Sequence, residues 1–520
     1  MIQHRQFVSF RFLRVVFSIL VLASLRLQAA TYYVDSNQGD DNMVGTDATT
    51  PWKTIEKVNK TDLQAGDKVL LKRGGVWSGQ LTIHNAGGDG NPIYIGAYGD
   101  ETQAKPTING EGKVGAAVFI KNGSNHVTVE GLALTNFDGQ DIFDGAEGDR
   151  CGVRAGEWGG DLSDIKILHN EVYFIEGFSN HGKVGPPRGT NLDPNKNNQY
   201  GTGAIFAHAV QMADVTIDGN EVHDCTGTGI MVFAQKNITG ALVQNNRLNN
   251  IGSDGIEFLN ATSPVIQYNS CINAANNSGE APRGPGVLGY HGLACCGMWA
   301  FHSSDVLFQY NYCEGTHQIK YDGQAWDFDL NMSGTCVYQY NFSRDNEGGF
   351  ILSNNEKHPG YTRICRYNIS VNDGSKQGKG EWFFNGISDY YNNIFYRTDG
   401  KSFFLDDKKM TGHQSGTFTN NIFYTTATAN LNYATATRIF SHNCFYGHTP
   451  IDPGTGAVLA DPLFQDVDGA VAAHALKDVA GFKLKPGSPC LGAGDAIPDF
   501  NGKNFWGDPL PMGQANIGAE

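Results

Sequence analysis

The stretch TCVYQYNFS at residues 335–343 has close echoes in DVLFQYNYC at 305–313 and TRICRYNIS at 362–370, with asparagine in the seventh place each time. The same pattern, an alternating run that ends in asparagine and is followed by a short, mostly apolar pair, recurs at Asn170, Asn220, Asn246, Asn269, Asn311, Asn341, Asn368, Asn393, Asn421 and Asn443. Most of the intervals are 22 to 30 residues, the length of one coil of a solenoid. Several rungs carry a second, Gly-led run: GIMVF at 229–233, GIEFL at 255–259 and GFILS at 349–353. Both kinds of run are short, β-branched or aromatic, and bounded by Gly, Asn, Asp and Ser, as strands are. Helical spacing is absent between them, so helical and leucine-rich repeats fit poorly. The pattern predicts an all-β chain, a parallel β-helix in which each coil lays its strands on the last. An asparagine at a tight corner can then bond its equivalents above and below, satisfying amide groups that burial would otherwise leave without partners. Asn311, Asn341 and Asn368 should follow one another at one strand spacing, ~4.8 Å. The sequons at Asn341 and Asn368 therefore read as structure, because a buried ladder asparagine has no room for a glycan.

The ends differ from the middle. Met1 to Leu27 carry four arginines and no acid, with an apolar run from Val15 to Leu25 and the small pair Ala29 and Ala30. This reads as a signal peptide over residues 1–29, since the run is too short to span a bilayer and no second one follows. A secreted or periplasmic protein, not inserted in a membrane, is expected, and a monomer. The whole chain has 38 basic and 53 acidic residues, a net charge of −15, which becomes about −19 without the leader's arginines. Nucleic acid and anionic membranes are disfavoured as partners. Residues 30–110 read as an N-terminal cap with the first coils, including a short amphipathic helix at Trp52–Asn59 to cover the open end. Residues 111–450 read as β-helix coils and 451–520 as a C-terminal capping tail. Two rungs are swollen by Gly-, Pro- and Asn-rich segments at 182–201 and 276–296, and long loops on a rigid scaffold commonly carry substrate contacts. Of the ten cysteines, Cys271 and Cys313 fall two residues after successive ladder asparagines and should stack, either as a disulfide or as inward free thiols. The adjacent Cys295 and Cys296 have no reading of their own.

Beyond these patterns, the opening YYVDSNQGDDN at 32–42, with PWKTI at 51–55, GDKVLLKRGG at 66–75, the Asn rungs, and the DPLF, KPGSPCLGAGD and IGAE segments of the tail, resembles the right-handed parallel β-helix proteins of the pectin-lyase-like superfamily. The resemblance covers nearly the whole mature chain. It implies a right-handed solenoid and a carbohydrate-active protein, in a superfamily that holds polysaccharide lyases, glycoside hydrolases and epimerases. Fold alone does not choose among these.

The chemistry is read from the face that the Gly-led strands present. Side chains alternate along a strand, so Ile256 and Phe258, Trp326 and Phe328, Phe350 and Leu352, and Phe403 and Leu405 should point inward. Glu257, Asp327, Asp329, Ser353, Asn385 and Asp406 should then point out. Asp327 and Asp329 in DGQAWDFDLN lie about 6.6–6.8 Å apart at Cα. Two acids flanking a cleft suit glycosidic cleavage, one protonated to assist the leaving oxygen and one ionised to activate water or attack carbon. Asp327, Asp329 and Glu257 are thus the candidate catalytic residues, exposed at the floor of a cleft. Trp299, His302, His208, Lys320 and Asp322 are the candidate substrate-binding residues, although Trp299 also reads as core and His302 as a turn residue. No cofactor is required. Calcium is the alternative, held by Asp327, Asp329, Asp345 and Glu347, since hard cations take several carboxylate oxygens. The favoured function is cleavage of polysaccharide glycosidic bonds by a hydrolase with paired carboxylates. A calcium-assisted polysaccharide lyase and a non-catalytic glycan-binding surface protein are the rival readings.

Overall fold

A computed structural model of the chain describes residues 29–139, 150–177, 202–276, 294–319, 321–353, 361–374, 381–383, 388–400, 403–406, 416–426, 432–433, 439–447, 452–497, 502–510 and 514–520. The leader, Lys320, Asn385 and most of both swollen segments lie outside the described residues, as does the side chain of Asp406.

The chain is an all-β, right-handed parallel β-helix. One coil shows the plan. Its strands are Met298–Phe301, Leu307–Gln309 and Tyr312–Glu314, and each pairs in parallel with its counterpart one coil on, Met298 with Trp326, Leu307 with Val337 and Tyr312 with Phe342. The strands thus stack in three rows. The first two rows join in one large sheet, and the third is a separate sheet, of thirteen strands among the described residues. Strand Gly203–Asp218 links the first two rows, since it pairs with Cys151–Ala155 and also with Leu162–Leu168. Alternation along each second-row strand sends every other side chain inward. Ile266, Phe308, Tyr338, Cys365, Tyr390, Phe418 and Phe440 follow in register as a buried column, with Phe308 on Tyr338 at 4.5 Å and Tyr390 on Phe418 at 4.8 Å between ring centres. Burying such side chains is the main favourable term, roughly 25 cal/mol per Å² of apolar surface.

The corner between the second and third rows is where the repeat is written. The residue before each asparagine from Asn220 to Asn443 has a left-handed backbone, with φ of 56° at Tyr268, 53° at Tyr310, 56° at Tyr340 and 49° at Tyr367, and Gly219 takes the place at one rung. A non-glycine residue there costs of order 1 kcal/mol or more. The ladder offsets that cost. From Asn170 through Asn220, Asn246, Asn269, Asn311, Asn341, Asn368, Asn393 and Asn421 to Asn443, the backbone N–H and the Nδ2 of each asparagine both donate to Oδ1 of the next, at 2.8–3.1 Å. The second Nδ2 hydrogen goes to a carbonyl, for example from Asn341 to Phe308 O at 3.0 Å. Leu132 N–H starts the chain on Asn170 Oδ1 at 3.0 Å. Every member is buried. Asn311, Asn341 and Asn368 stand one strand step apart, as the repeat predicts, because the residues that follow them pair in register.

Cys271 and Cys313 pair in register, as expected, and stack as free buried thiols. All ten cysteines are buried, and none is in a disulfide.

At the N-terminal end the helix is Ile55–Asn59 and starts later than expected. Thr54 ends the extended segment that carries Trp52, and its Oγ1 accepts from Lys57 N–H at 3.1 Å. Trp52 instead bridges to Val34 and stacks on Tyr32 at 4.5 Å. The C-terminal residues fold back along the outside of the third row. Phe464, Val479, Phe482 and Ile517 cluster there with Tyr340, Phe342 and Ile394. Among the described residues, no helix is long and apolar enough to cross a membrane.

Candidate active site

One outward line of the first row carries the chemistry. Arg154, Phe206, Met231, Glu257, Trp299, Asp327 and Leu352 follow one another in register over successive coils. Their neighbours Phe258, Ala300 and Phe328 lie in the core, so the alternation expected around Glu257 and Asp327 holds. Glu257, Trp299 and Asp327 therefore sit on one face at successive strand steps. Glu257 and Asp327 are about 9.6 Å apart at Cα, two steps of ~4.8 Å, with Trp299 between them.

Two expectations fail here. Leu352, expected inside, shares the Asp327 line, while Ser353, expected outside, pairs with Phe328, is fully buried and accepts from Arg363 Nη1 at 2.9 Å. At the start of this strand, Phe350 and Ile351 are both in the core, and two consecutive buried residues shift the alternation by one. The second failure concerns exposure. Asp327 is 4% exposed and Glu257 is 0% exposed, where an open cleft floor was expected. The outer face is apolar rather than a bare acidic wall. Phe119, Phe206, Met231, Phe233 and Leu259 form a second small core on it, with Trp158 and Phe301 packed alongside.

Burial, and then the nearby charges of Asp329 and Asp322, push the Asp327 carboxyl well above the usual carboxylate range, with Arg363 acting in the opposite direction. Its Oδ1 has no hydrogen-bond partner among the described residues. Asp322 and Asp329 are half-buried, so the cluster has one deep member and two nearer the solvent. A carboxyl in this setting keeps its proton to a higher pH than an ordinary carboxyl does.

The remaining candidates are scattered. Trp299 is 5% exposed and its indole N–H donates to Asp254 Oδ1 at 2.8 Å. His208 lies on the outer face in the line His208, Phe233, Leu259, Phe301, beside Trp158 at 4.7 Å and Phe206 at 4.6 Å between ring centres. Burial, and then Arg154, push it down to about 3, so its ring is neutral near pH 7. His302 is exposed at the strand end, its ring against Phe301 at 4.1 Å. The calcium set is not drawn together. Asp345 accepts from Arg344 Nε at 2.9 Å, and Glu347 accepts from Gln318 N–H at 2.7 Å with His317 at 3.3 Å. Among the described residues, no group of three or more His, Cys, Asp or Glu side chains has the geometry to hold a metal ion.

Asp254 escaped the sequence reading. It is fully buried, Oδ1 also accepts from Cys296 N–H at 2.8 Å, and Oδ2 accepts from Ser253 Oγ at 3.0 Å. The GSDG turn in which it lies reads as an ordinary connection. Cys295 and Cys296 belong to the same neighbourhood: Cys295 Sγ is 3.4 Å from Ser253 Oγ, and the strand Ala294–Cys295 pairs with Tyr321–Asp322. The apolar outer face had a legible signal. GAIFAHAV at 203–210 is apolar at alternate and intervening positions alike, which marks a strand covered on both sides.

No family model matches the chain. It is similar to a lacto-N-biosidase of Bifidobacterium longum subsp. longum, with 28% identity over 601 residues that cover 96% of this chain. The chain spans 36% of the length of that relative. Among solved structures it is similar to the native GH136 lacto-N-biosidase of Eubacterium ramulus, with a TM-score of 0.59 and 24% identity over 81% of this chain and 70% of that one. The selenomethionine form of the same enzyme gives a TM-score of 0.58 at 24% identity, over 78% and 69% of the two chains. These structural likenesses bear on the fold, and they agree with the parallel β-helix that the Asn rungs and the strand register define.

Proposed function

We propose that the chain is an exported glycoside hydrolase with an activity of the lacto-N-biosidase type. Its reaction centre in this reading is the carboxylate cluster Asp322, Asp327 and Asp329, with Glu257 two coils away. The observation that carries the reading is the state of Asp327: a carboxyl on the outer face, stripped of water and crowded by two further acids. Glycoside hydrolysis needs one protonated and one ionised carboxyl at the same bond. Asp327 supplies the proton to the leaving oxygen. Of the half-buried pair, Asp329 or Asp322 activates water or attacks carbon, because these two carboxyls lie nearer the solvent than Asp327. The similarity to the Bifidobacterium longum enzyme along nearly the whole chain supports this choice over elimination or simple binding.

Incubation of the purified protein with oligosaccharides that end in lacto-N-biose, and in parallel with polygalacturonate and alginate, tests the reading. Release of a reducing disaccharide from the first group without unsaturated products from the second is the expected result. Unsaturated products, or binding without turnover on any substrate, would overturn it.

A further inference from the structure

The step between Glu257 and Asp327 is filled by a side chain that is itself held in place. Trp299 occupies that step in the register, and its indole N–H reaches back one coil to Asp254 Oδ1. Asp254 stands just ahead of the strand Ile256–Ala261 that carries Glu257. Its carboxylate is fixed by three donors from two coils: the Trp299 indole, the Cys296 backbone N–H and the Ser253 hydroxyl. A bond from a neutral donor to a carboxylate is about twice as strong as one between neutral groups, and Asp254 is shut away from water. One carboxylate thus ties the aromatic ring to the coil of one acid, while Trp299 itself pairs in register with the other. Among the alternatives, a purely structural stitch would need only the Cys296 bond, which joins the two coils without any side chain from the acid line.

We propose that Asp254 is a positioning residue for the reaction, clamping the Trp299 indole in the step between Glu257 and Asp327 so that the ring forms a fixed wall to the acid cluster. The proposal rests on the hydrolase reading above. The clamp determines the orientation of the ring and, through it, the placement of the sugar against Asp327. Small misplacements of a bound substrate cost rate more than affinity, so loss of the clamp falls mainly on kcat.

The test compares Asp254→Asn, Trp299→Phe and the double variant in the full chain. Asparagine keeps the shape and an acceptor and removes the charge, whereas phenylalanine keeps a ring and removes the donor. Each single variant should lower kcat by about tenfold, with KM changed less than twofold, and the double variant should be no worse than the poorer single one, as residues acting as a unit behave. In 15N-indole-labelled protein, the N–H resonance that disappears in Trp299→Phe should shift in Asp254→Asn. Unchanged kcat in Asp254→Asn, losses that multiply in the double variant, or an unmoved indole resonance would each overturn the clamp while leaving the hydrolase reading in place. A wild-type protein that cleaves no oligosaccharide would end both.

Discussion

The asparagine corner and the acid-bearing outer face are made by the same alternating strands, yet they treat polar groups in opposite ways. At the corner, each asparagine donates twice to the next one and passes its remaining hydrogen to a carbonyl, so the groups are satisfied by their own repeats. On the outer face, Asp327 Oδ1 and both ring nitrogens of His208 are buried without hydrogen-bond partners among the described residues. A repeat satisfies polar groups cheaply when the same residue recurs one strand step away. The face has no such recurrence, since Glu257, Trp299, Asp327 and Leu352 are four different residues in one line. Buried polar groups that the fold leaves unmet are where function is to be sought.

Breaking the acid face should cost activity and spare the fold. Asp327→Asn is expected to lower kcat/KM by about 10² to 10⁴, while its melting temperature stays level or rises, because the substitution removes a buried carboxyl that resists ionisation. Calorimetry alongside a rate assay decides it, and a variant that melts early would move Asp327 to the structural side of the comparison. Asn311→Ala should do the reverse. It strands the backbone N–H and one Nδ2 hydrogen of Asn269 and removes a donor from the carbonyl of Ile266, at about 1–3 kcal/mol for each unmet group. A loss of roughly 3–5 kcal/mol of unfolding free energy, read from denaturant titration, is expected, with a similar loss at Asn341.

A third test sets a satisfied buried acid beside the unsatisfied one. Asp373 lies beside the third row, where Ser343, Ser370 and both Asn346 nitrogens donate to it. Burial nonetheless raises it to about 6, against the lowering effect of those bonds. A carboxyl raised in the folded state contributes stability that is complete below the unfolded value, near pH 4, and is lost as pH rises through the folded one. Between pH 4 and 7 the wild type should therefore lose on the order of 2–3 kcal/mol that Asp373→Asn does not lose, read as the difference between two thermal-unfolding profiles. A parallel pair of profiles would show that the four donors already cancel the burial. The smallest effect belongs to Tyr268, half exposed at the end of the tyrosine stack and 5.0 Å from Tyr310. Tyr268→Ala should cost less than about 1 kcal/mol, since the ring decorates a corner that Asn269 holds.

How far the sequence could be read follows the same division. Asn170 to Asn443 were legible because a repeat multiplies a weak local signal, and each rung makes its bonds to its neighbours in the stack. Glu257 and Asp327 were legible as outward-facing acids from period-two alternation alone. Their burial was not, because what covers a face comes from elsewhere in the chain. Ser353 was misplaced because alternation is counted from an assumed start, and this strand buries two residues, Phe350 and Ile351, in succession. Asp254 was missed because a buried carboxylate in a turn has no periodicity to betray it.

By itself the sequence determined the class of fold, the coil length, the corner asparagines and the stacking of Cys271 on Cys313, all of which depend on residues one coil apart in a regular repeat. Only the tertiary structure decided that Asp327 lies deep while Asp322 and Asp329 remain nearer the solvent, and that Trp299 is tied to Asp254. It also separated Asp345 and Glu347 into other bonds. The physical reason is that ionisation depends on how much water and charge surround a group in space, and a linear pattern records neither.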